Sequence, residues 1–286
     1  MYFAVHRVYD FEMSHFRGFV KRSFLAPAAY ATLEKLREIA PGQTSFLGYQ
    51  FRGTKEMRSG NYEKYLLDFL IPLLNASTSF INIGANVGYF ASVAKSKGVS
   101  RVIAIEPNHS NFKILVSNLK GIETSTKVNL LNIAVGETNH SGELFGHSTG
   151  ASLIKNWEGD ISKSGAKVQI RTLDSLVEEL SINTKSIFLI DVEGSEFSLL
   201  SGAQMTLISH QESIWIVEIS LFRNIDGFVS MDKNFAKTLE LFERQGYLIY
   251  SWLNGFNQLS TNEIQGLISG LYELSALIFV FSKRQL

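Results

Sequence analysis

The sequence predicts an α/β protein with a doubly wound, mostly parallel sheet, and two observations support this. Short apolar runs without alternation, at residues 80–83, 102–105 and 186–190, are typical of strands buried on both faces. Between such runs lie stretches whose apolar residues have helical spacing. Strands that alternate with helices in this way form parallel sheets with helices packed on them.

Seven runs are predicted as strands of the main sheet, at residues 80–83, 102–105, 128–133, 186–190, 214–219, 247–250 and 276–281, and residues 168–170 as a further short strand. Residues 59–70 have their aromatic and aliphatic residues on one helical face, and Pro72 limits that helix. Residues 110–119 are predicted as a helix with Asn108 as its cap. The helix predicted at 234–244 ends before Gly246.

The turn after the first strand reads Gly84-Ala-Asn86-Val-Gly88, and its glycines permit positive φ and close backbone approach. Glu106 ends the second strand, 22 residues after Gly84. A carboxylate at that position is placed to accept hydrogen bonds from two ribose hydroxyls. The pattern predicts a nucleoside-binding βαβ unit.

The bound nucleoside is less well defined by this spacing. A dinucleotide pyrophosphate site requires a third glycine, which this turn lacks. Asn86 supplies a side-chain amide instead, which suits a nucleoside that carries a polar amino-acid tail. The spacing favours S-adenosylmethionine and leaves NAD open.

Several motifs resemble, in the same order, those of the FkbM-type methyltransferase family: Ile81 to Phe90, Ile105-Glu-Pro-Asn108, Thr172-Leu-Asp174, Ile190-Asp-Val-Glu-Gly-Ser-Glu196 and Val217-Glu-Ile219. The Ile-Asp-Val-Glu-Gly block is the most specific of them. The resemblance spans residues 59–250. It implies a Rossmann-like class I methyltransferase fold, with seven mostly parallel strands, an antiparallel last strand and helices on both faces.

The resemblance also implies S-adenosylmethionine as the cofactor and a cofactor site. It places Glu63 near the ammonium of the methionine tail and the strand end at 132–134 near the adenine. A first-turn glutamate near a helix N-terminus is the alternative for Glu63. The predicted cofactor-binding residues are Glu63, Asn82, Gly84, Ala85, Asn86, Gly88, Glu106, Pro107, Asn132, Ala134 and Asp191.

Two positions depart from the family pattern. Asn82 stands where an acid is usual, which bears on a water-mediated cofactor contact. Leu189 stands where a lysine is usual, so a cation beside Asp191 is in question.

Methyl transfer to a hydroxyl requires alignment and benefits from a base. Asp191 and Glu193 flank the tip of the fourth strand and are the first candidates. Carboxylates there could also hold Mg²⁺, which prefers oxygen ligands. A first-turn acid that favours the helix dipole is the alternative for Glu193. His147 is a third catalytic candidate because its segment is expected to face the acceptor.

Residues 136–163 are rich in Gly, Ser, Thr and Asn. Long segments of this kind in compact domains are usually functional. We expect a hairpin or mobile loop that faces the active site, with His147 and Ser152 among its polar groups. The whole chain is predicted to consist of an N-terminal extension or cap, residues 1–57, and a methyltransferase domain, residues 58–286, which contains this segment.

Composition bounds the function. The formal net charge is zero, which argues against nucleic-acid binding through a basic face. The absence of cysteine excludes disulfides and cysteine-based sites. No apolar run approaches the ~20 residues of a membrane span, and the N-terminus lacks a signal-peptide pattern. We expect a soluble, cytoplasmic enzyme with a small-molecule or saccharide acceptor.

The expected activity is O-methylation by S-adenosylmethionine. An NAD-dependent short-chain oxidoreductase is one alternative, although no Tyr-x-x-x-Lys pair is present. A non-catalytic module that binds S-adenosylmethionine is the other, because fold alone does not establish catalysis.

Overall fold

The structure is a computed structural model that describes residues 42–146, 150–157, 164–220, 222–225, 228–231, 233–252, 255–269 and 276–286. Most of the predicted N-terminal extension, residues 1–41, lies outside this part of the chain. The same is true of His147, so its catalytic role stays a prediction.

The described strands, numbered in chain order, are Gln43–Thr44 (β1), Gln50–Phe51 (β2), Ser79–Ile83 (β3), Arg101–Ile105 (β4), Lys127–Leu131 (β5), Ala134–Val135 (β6), His140–Leu144 (β7), Ala166–Arg171 (β8), Ser186–Ile190 (β9), Ile214–Ser220 (β10), Phe222–Ile225 (β11), Phe228–Met231 (β12), Leu248–Ser251 (β13), Asn257–Gln258 (β14) and Ala276–Ser282 (β15). The helices are Lys55–Ser59 (α1), Lys64–Leu70 (α2), Tyr89–Ser96 (α3), His109–Lys120 (α4), Leu173–Leu180 (α5), Glu196–Ser201 (α6), Gln204–Ser209 (α7), Lys233–Arg244 (α8) and Thr261–Ile268 (α9), with a short 3-10 helix at Ile71–Leu73.

The central sheet has the strand order β14-β13-β15-β10-β9-β3-β4-β5. Strands β5, β4, β3, β9 and β10 pair in parallel. Strand β15 is inserted antiparallel between β10 and β13, so β13 runs in the same direction as the parallel strands. This confirms the predicted α/β class and the antiparallel last strand.

The sheet has eight strands where the resemblance implied seven. The additional strand is β14, two residues at the edge that pair antiparallel with the end of β13. Tyr250 and Ser251 are opposite Gln258 and Asn257 there. A pairing this short comes from the local return of the chain after β13, which apolar periodicity does not reveal.

Helices cover both faces of the sheet, as predicted. On one face α2, α3 and α4 bury side chains such as Leu66, Val93 and Leu115. On the other, α5 to α9 bury side chains such as Leu173 and Phe242. Burial on both faces explains why the parallel strands are continuously apolar.

Two smaller features border the main sheet. Strands β7 and β8 form an antiparallel pair, and β8 also pairs in parallel with β6. Strand β7 and an isolated bridge between Phe145 and Ser152 lie within the segment 136–163, whereas β8 follows it; that the segment faces the acceptor stays a prediction. Residues 42–57 form the β1–β2 pair and α1, and Phe51 and Met57 are buried in the core beside Tyr89. The domain boundary at residue 57 stays a prediction.

Candidate active site

Two neighbouring cavities open at the carboxyl-end edge of the parallel strands, where ligands bind in sheets of this kind. The space between protein atoms is about 560 Å³ in the first and about 510 Å³ in the second, in each case counted together with the solvent at the open mouth. Gly84, Asn86 and Asp191 line both cavities. They therefore stand between the two compartments.

Most predicted cofactor-binding residues line these cavities. The first cavity is lined by Glu106, Pro107 and Ala134 in addition to the three shared residues. The second is lined by Glu63, Asn82 and Ala85. Gly88 and Asn132 line neither.

The turn after β3 is shaped by left-handed backbone conformations, with φ of 81° at Gly84, 51° at Asn86 and 83° at Gly88. A Cβ atom on Gly84 would lie 1.7 Å from the backbone oxygen of Asp191. The end of β3 therefore approaches the end of β9 so closely that only glycine fits. At Gly88 the approach is to the side chain of Leu115, 2.4 Å from an added Cβ, so this glycine allows helix packing instead of lining a cavity.

Glu106 is buried at the end of β4 and faces the first cavity. Its Oε2 accepts a hydrogen bond from the backbone N–H of Asn86 at 2.7 Å, and its Oε1 accepts one from the N–H of Asn108 at 2.8 Å. Burial raises the pKa of Glu106 to about 7, although these backbone donors act in the opposite direction. The carboxylate thus ties the glycine turn to the second strand.

Asn132 supports this acid from outside the cavity. Its Nδ2 donates to the backbone oxygens of Glu106 at 2.8 Å and Pro107 at 3.0 Å. Its Oδ1 lies 3.0 Å from Nδ1 of His109. The side chain is therefore placed to hold the Glu106–Pro107 backbone, and its direct contact with a cofactor stays a prediction.

Three carboxylates line the second cavity, from Glu63, Asp191 and Glu218. Burial and then the charge of Asp191 raise the pKa of Glu63 to about 7. Burial raises the pKa of Asp191, and burial with the charges of Asp191 and Glu63 raises that of Glu218 well above its usual value. The charges of these acids affect one another because all three line the same cavity.

No Lys, Arg or His is among the described residues that line either cavity. Glu63 has a left-handed backbone, with φ of 41°, where the chain enters α2. This conformation costs a non-glycine residue on the order of 1–2 kcal/mol. A strained residue whose half-buried carboxylate lines a cavity is typical of a functional position.

Two buried polar atoms at the cavities have no hydrogen-bond partner among the described residues, namely Oδ1 of Asn86 and the hydroxyl of Tyr89. Both residues line the second cavity. An unsatisfied buried polar group costs about 1–3 kcal/mol, so such groups usually have a role. A ligand with polar groups would satisfy them.

Glu193 follows Asp191 and lines the first cavity. Its backbone is left-handed, with φ of 51°. Its Oε2 accepts a hydrogen bond from Nε1 of Trp157 at 3.3 Å, and its backbone oxygen accepts one from Oγ of Ser152 at 2.7 Å. Ser152, predicted to face the acceptor, is buried and anchors this contact instead.

Trp157 was not identified from the sequence, and its contact with the site is tertiary. The indole is buried against Gly194, where an added Cβ would lie 2.3 Å from the ring. Residues 150–157 are thus docked on the turn after β9. A tryptophan in a segment otherwise rich in small polar residues was the available signal.

The described residues form neither a recognisable metal site nor a membrane-spanning helix. Within the described part of the chain, no group of three or more His, Asp or Glu side chains is arranged to hold a metal ion, so the Mg²⁺ hypothesis gains no support. None of the helices in the same ranges has the length and apolar character needed to cross a bilayer.

The fold is similar to those of several solved methyltransferase structures. An O-methyltransferase from Bacillus cereus in complex with SAH shares 13% identity, with 90% of each chain covered and a TM-score of 0.43. Precorrin-6y C5,15-methyltransferase from Geobacter metallireducens shares 13%, covering 82% of this chain and 94% of that one, with a TM-score of 0.41. An rRNA methylase from Streptococcus thermophilus shares 14%, covering 76% and 93%, with a TM-score of 0.40.

No curated protein matches the sequence. Residues 82–249 match the model of the methyltransferase FkbM domain, which is more than half of the chain. The match includes the glycine turn, Glu106 and the Asp191–Glu193 turn. It confirms the resemblance seen in the motifs, and the chain belongs to the FkbM methyltransferase family.

Proposed function

We propose that this protein transfers the methyl group of S-adenosylmethionine to a hydroxyl of a small molecule or sugar. The observation that carries the proposal is the group of three carboxylates, Glu63, Asp191 and Glu218, in a cavity without a cationic side chain among its described lining residues. The three acids are half-buried, and acids withdrawn in part from water favour a partner or a ligand of opposite charge. A ligand that brings positive charge into this cavity would provide it.

The residues present fit S-adenosylmethionine better than a dinucleotide. The sulfonium and ammonium groups of the former complement the three acids of the second cavity. The pyrophosphate of NAD would be repelled by the same carboxylates. Glu106 is placed for the ribose, and the unsatisfied Oδ1 of Asn86 can accept a hydrogen bond from the bound cofactor.

When bound, the cofactor supplies a methyl group on a positively charged sulfur, which is a good leaving group. The chain has to orient the acceptor and remove its proton. Asp191 lines both cavities, and its raised pKa lies closer to neutral pH, as suits a general base. Glu193 already accepts a hydrogen bond from Nε1 of Trp157, which holds its carboxylate against the segment 150–157. We therefore assign the base to Asp191 and a positioning role to Glu193.

Calorimetry with S-adenosylmethionine, its demethylated product and NAD tests the cofactor assignment. We expect binding of the first two and little or no binding of NAD. Glu106→Gln should weaken cofactor binding by about 1.5–3 kcal/mol, the range for hydrogen bonds to charged groups. Glu178→Gln, at an exposed position in α5, is the control. Tighter binding of NAD, or equal cofactor affinity in both variants, would overturn the assignment.

A second measurement tests catalysis. The protein is incubated with methyl-labelled cofactor and a panel of sugars, glycans and small alcohols, and labelled product is separated and counted. Transfer that is lost in Asp191→Asn supports the proposal. Cofactor binding without transfer to any member of the panel would favour a non-catalytic module.

A further inference from the structure

A group of aromatic side chains lies beside the second cavity and belongs to neither cavity lining. Tyr65 stacks on Trp252 with ring centroids 4.6 Å apart and planes at 25°. Phe69 stacks on Phe256 at 4.3 Å and 27°, and Trp252 contacts Phe256 at 5.1 Å. We call these four residues the aromatic shelf. Trp252 is 42% exposed, so part of its indole is open to a ligand.

Strand register places the shelf at the edge of the sheet where the cavities open. Glu218 of β10 is opposite Ile278 of β15. Ser251 of β13 is opposite Phe279, the residue next to Ile278 on β15, so the residue after Ser251 is at the height of Ile278. Trp252 follows Ser251 and so stands level with Glu218. It lies two strands away, roughly 10 Å at the usual strand spacing. Trp252 also contacts Tyr65 of α2, the helix that begins after Glu63 and contributes Leu66 to the lining of the second cavity.

Tyr65 connects the shelf to the three carboxylates. Burial raises the pKa of the Tyr65 hydroxyl, and so do the charges of Glu63, Glu218 and Asp191. Tyr65 of α2 is two residues after Glu63, and both Glu63 and Leu66 line the second cavity, so the helix connects the shelf to that cavity. A ligand on the shelf would thus have an aromatic surface beneath it and carboxylates beside it.

These features define the chemistry of the ligand. The face of an aromatic ring is apolar and carries a negative quadrupole, which attracts the C–H groups on the apolar face of a sugar ring. Carboxylates accept hydrogen bonds from hydroxyls but repel anions. No Lys, Arg or His is among the described residues that form the shelf or line the second cavity. Phosphorylated and acidic sugars therefore lack a partner here.

Resting on the proposed methyl transfer, we propose that the aromatic shelf binds the acceptor and that the acceptor is a neutral sugar ring. Its apolar face lies on Trp252, and its hydroxyls point toward Glu63 and Glu218. The shelf then sets acceptor specificity separately from cofactor binding. The acceptor approaches from the β13 side of the sheet, so the docked segment 150–157 is not its main contact.

Binding to arrayed glycans tests the proposal, with the labelled full-length protein in the presence of the demethylated cofactor. The array carries neutral oligosaccharides beside sialylated and phosphorylated ones. We expect the protein to bind neutral glycans, and Trp252→Ala to lower that binding at least tenfold. Met205→Ala removes another exposed apolar side chain, 65% exposed on α7, and should leave the binding unchanged.

Calorimetry with S-adenosylmethionine separates this proposal from the assignment of function. Trp252→Ala should keep the cofactor affinity of the unmodified protein, which also shows that the variant is folded. Three results would contradict the proposed role of the aromatic shelf but not the proposed methyl transfer. They are a preference for acidic glycans, no binding of neutral glycans, and equal binding of neutral glycans by Trp252→Ala. Failure of the unmodified protein to bind the cofactor would instead overturn the proposed function.

Discussion

Replacing Gly84 by alanine should damage the site in a way that can be separated from backbone strain. Gly84 has φ of 81°, and a Cβ there would lie 1.7 Å from the backbone oxygen of Asp191. Gly98 has φ of 71°, but its added Cβ would have no atom within 4 Å. The two variants therefore share the cost of a left-handed alanine and differ only in the steric contact.

The expected magnitudes follow from that difference. A left-handed non-glycine residue costs about 1–2 kcal/mol, which is the whole expected effect of Gly98→Ala. Gly84→Ala adds the displacement of a backbone oxygen in a packed interior, and overpacking typically costs a further ~1–3 kcal/mol. Its total should be about 2–5 kcal/mol. Because Asp191 has to move, cofactor binding should also weaken in Gly84→Ala and remain unchanged in Gly98→Ala.

Urea denaturation followed by circular dichroism measures the free energy of unfolding, with the slope against urea checked for constancy. Calorimetry with S-adenosylmethionine measures binding at a temperature where both variants are folded. If the two variants lose equal stability, or if Gly84→Ala binds the cofactor as well as Gly98→Ala does, the close approach of β3 to Asp191 is not structurally required.

The remaining predictions concern the base, the carboxylate group and the docked segment. Asp191→Asn should reduce turnover far more than cofactor affinity. An equal loss of both would show that Asp191 binds the cofactor and is not the base. Loss of activity on treatment with a chelator would support the Mg²⁺ hypothesis. Burial raises the pKa of Glu63 and of Glu106 to about 7 from an ordinary value of 4.5, so the native state keeps protons that the unfolded chain has released. These two groups should therefore stabilise the cofactor-free protein most below about pH 4.5, and this contribution should be lost as pH rises to about 7. The loss should be smaller in Glu63→Gln. Urea titrations at several pH values measure it, and stability that rises over this pH range would contradict the prediction. Trp157→Phe removes the hydrogen bond to Glu193, so kcat should fall and its pH profile should shift while cofactor affinity is kept, whereas an unchanged profile would show that the indole only fills space.

The parts that sequence reasoning predicted well depend on local chemistry. Asn108 caps α4 by accepting from the N–H of Asn111 at 3.1 Å, as the pattern indicated. Gly84 and Glu106 end their strands where the apolar runs stop. In both cases the cause lies within a few residues of the signal, because caps and turns are set by adjacent backbone groups.

One local prediction was wrong. Residues 59–70 were expected to form one helix, but α1 ends at Ser59 and α2 begins at Lys64, after Glu63. The left-handed backbone of Glu63 separates them. Helical spacing is continuous across this break, because aromatic residues on both sides pack against the same core.

The sequence by itself determined the fold class and the strand-end residues, because burial on both faces of a parallel sheet leaves a continuous apolar signal. Its motifs determined the family. Only the tertiary structure decided which acids meet. Glu63, Asp191 and Glu218 come from distant parts of the chain, and their mutual charge effects arise when α2 closes over β9 and β10. Trp157 likewise reaches Glu193 only through the fold of its hairpin. Electrostatic coupling and packing depend on distances in space, which spacing along the chain does not specify.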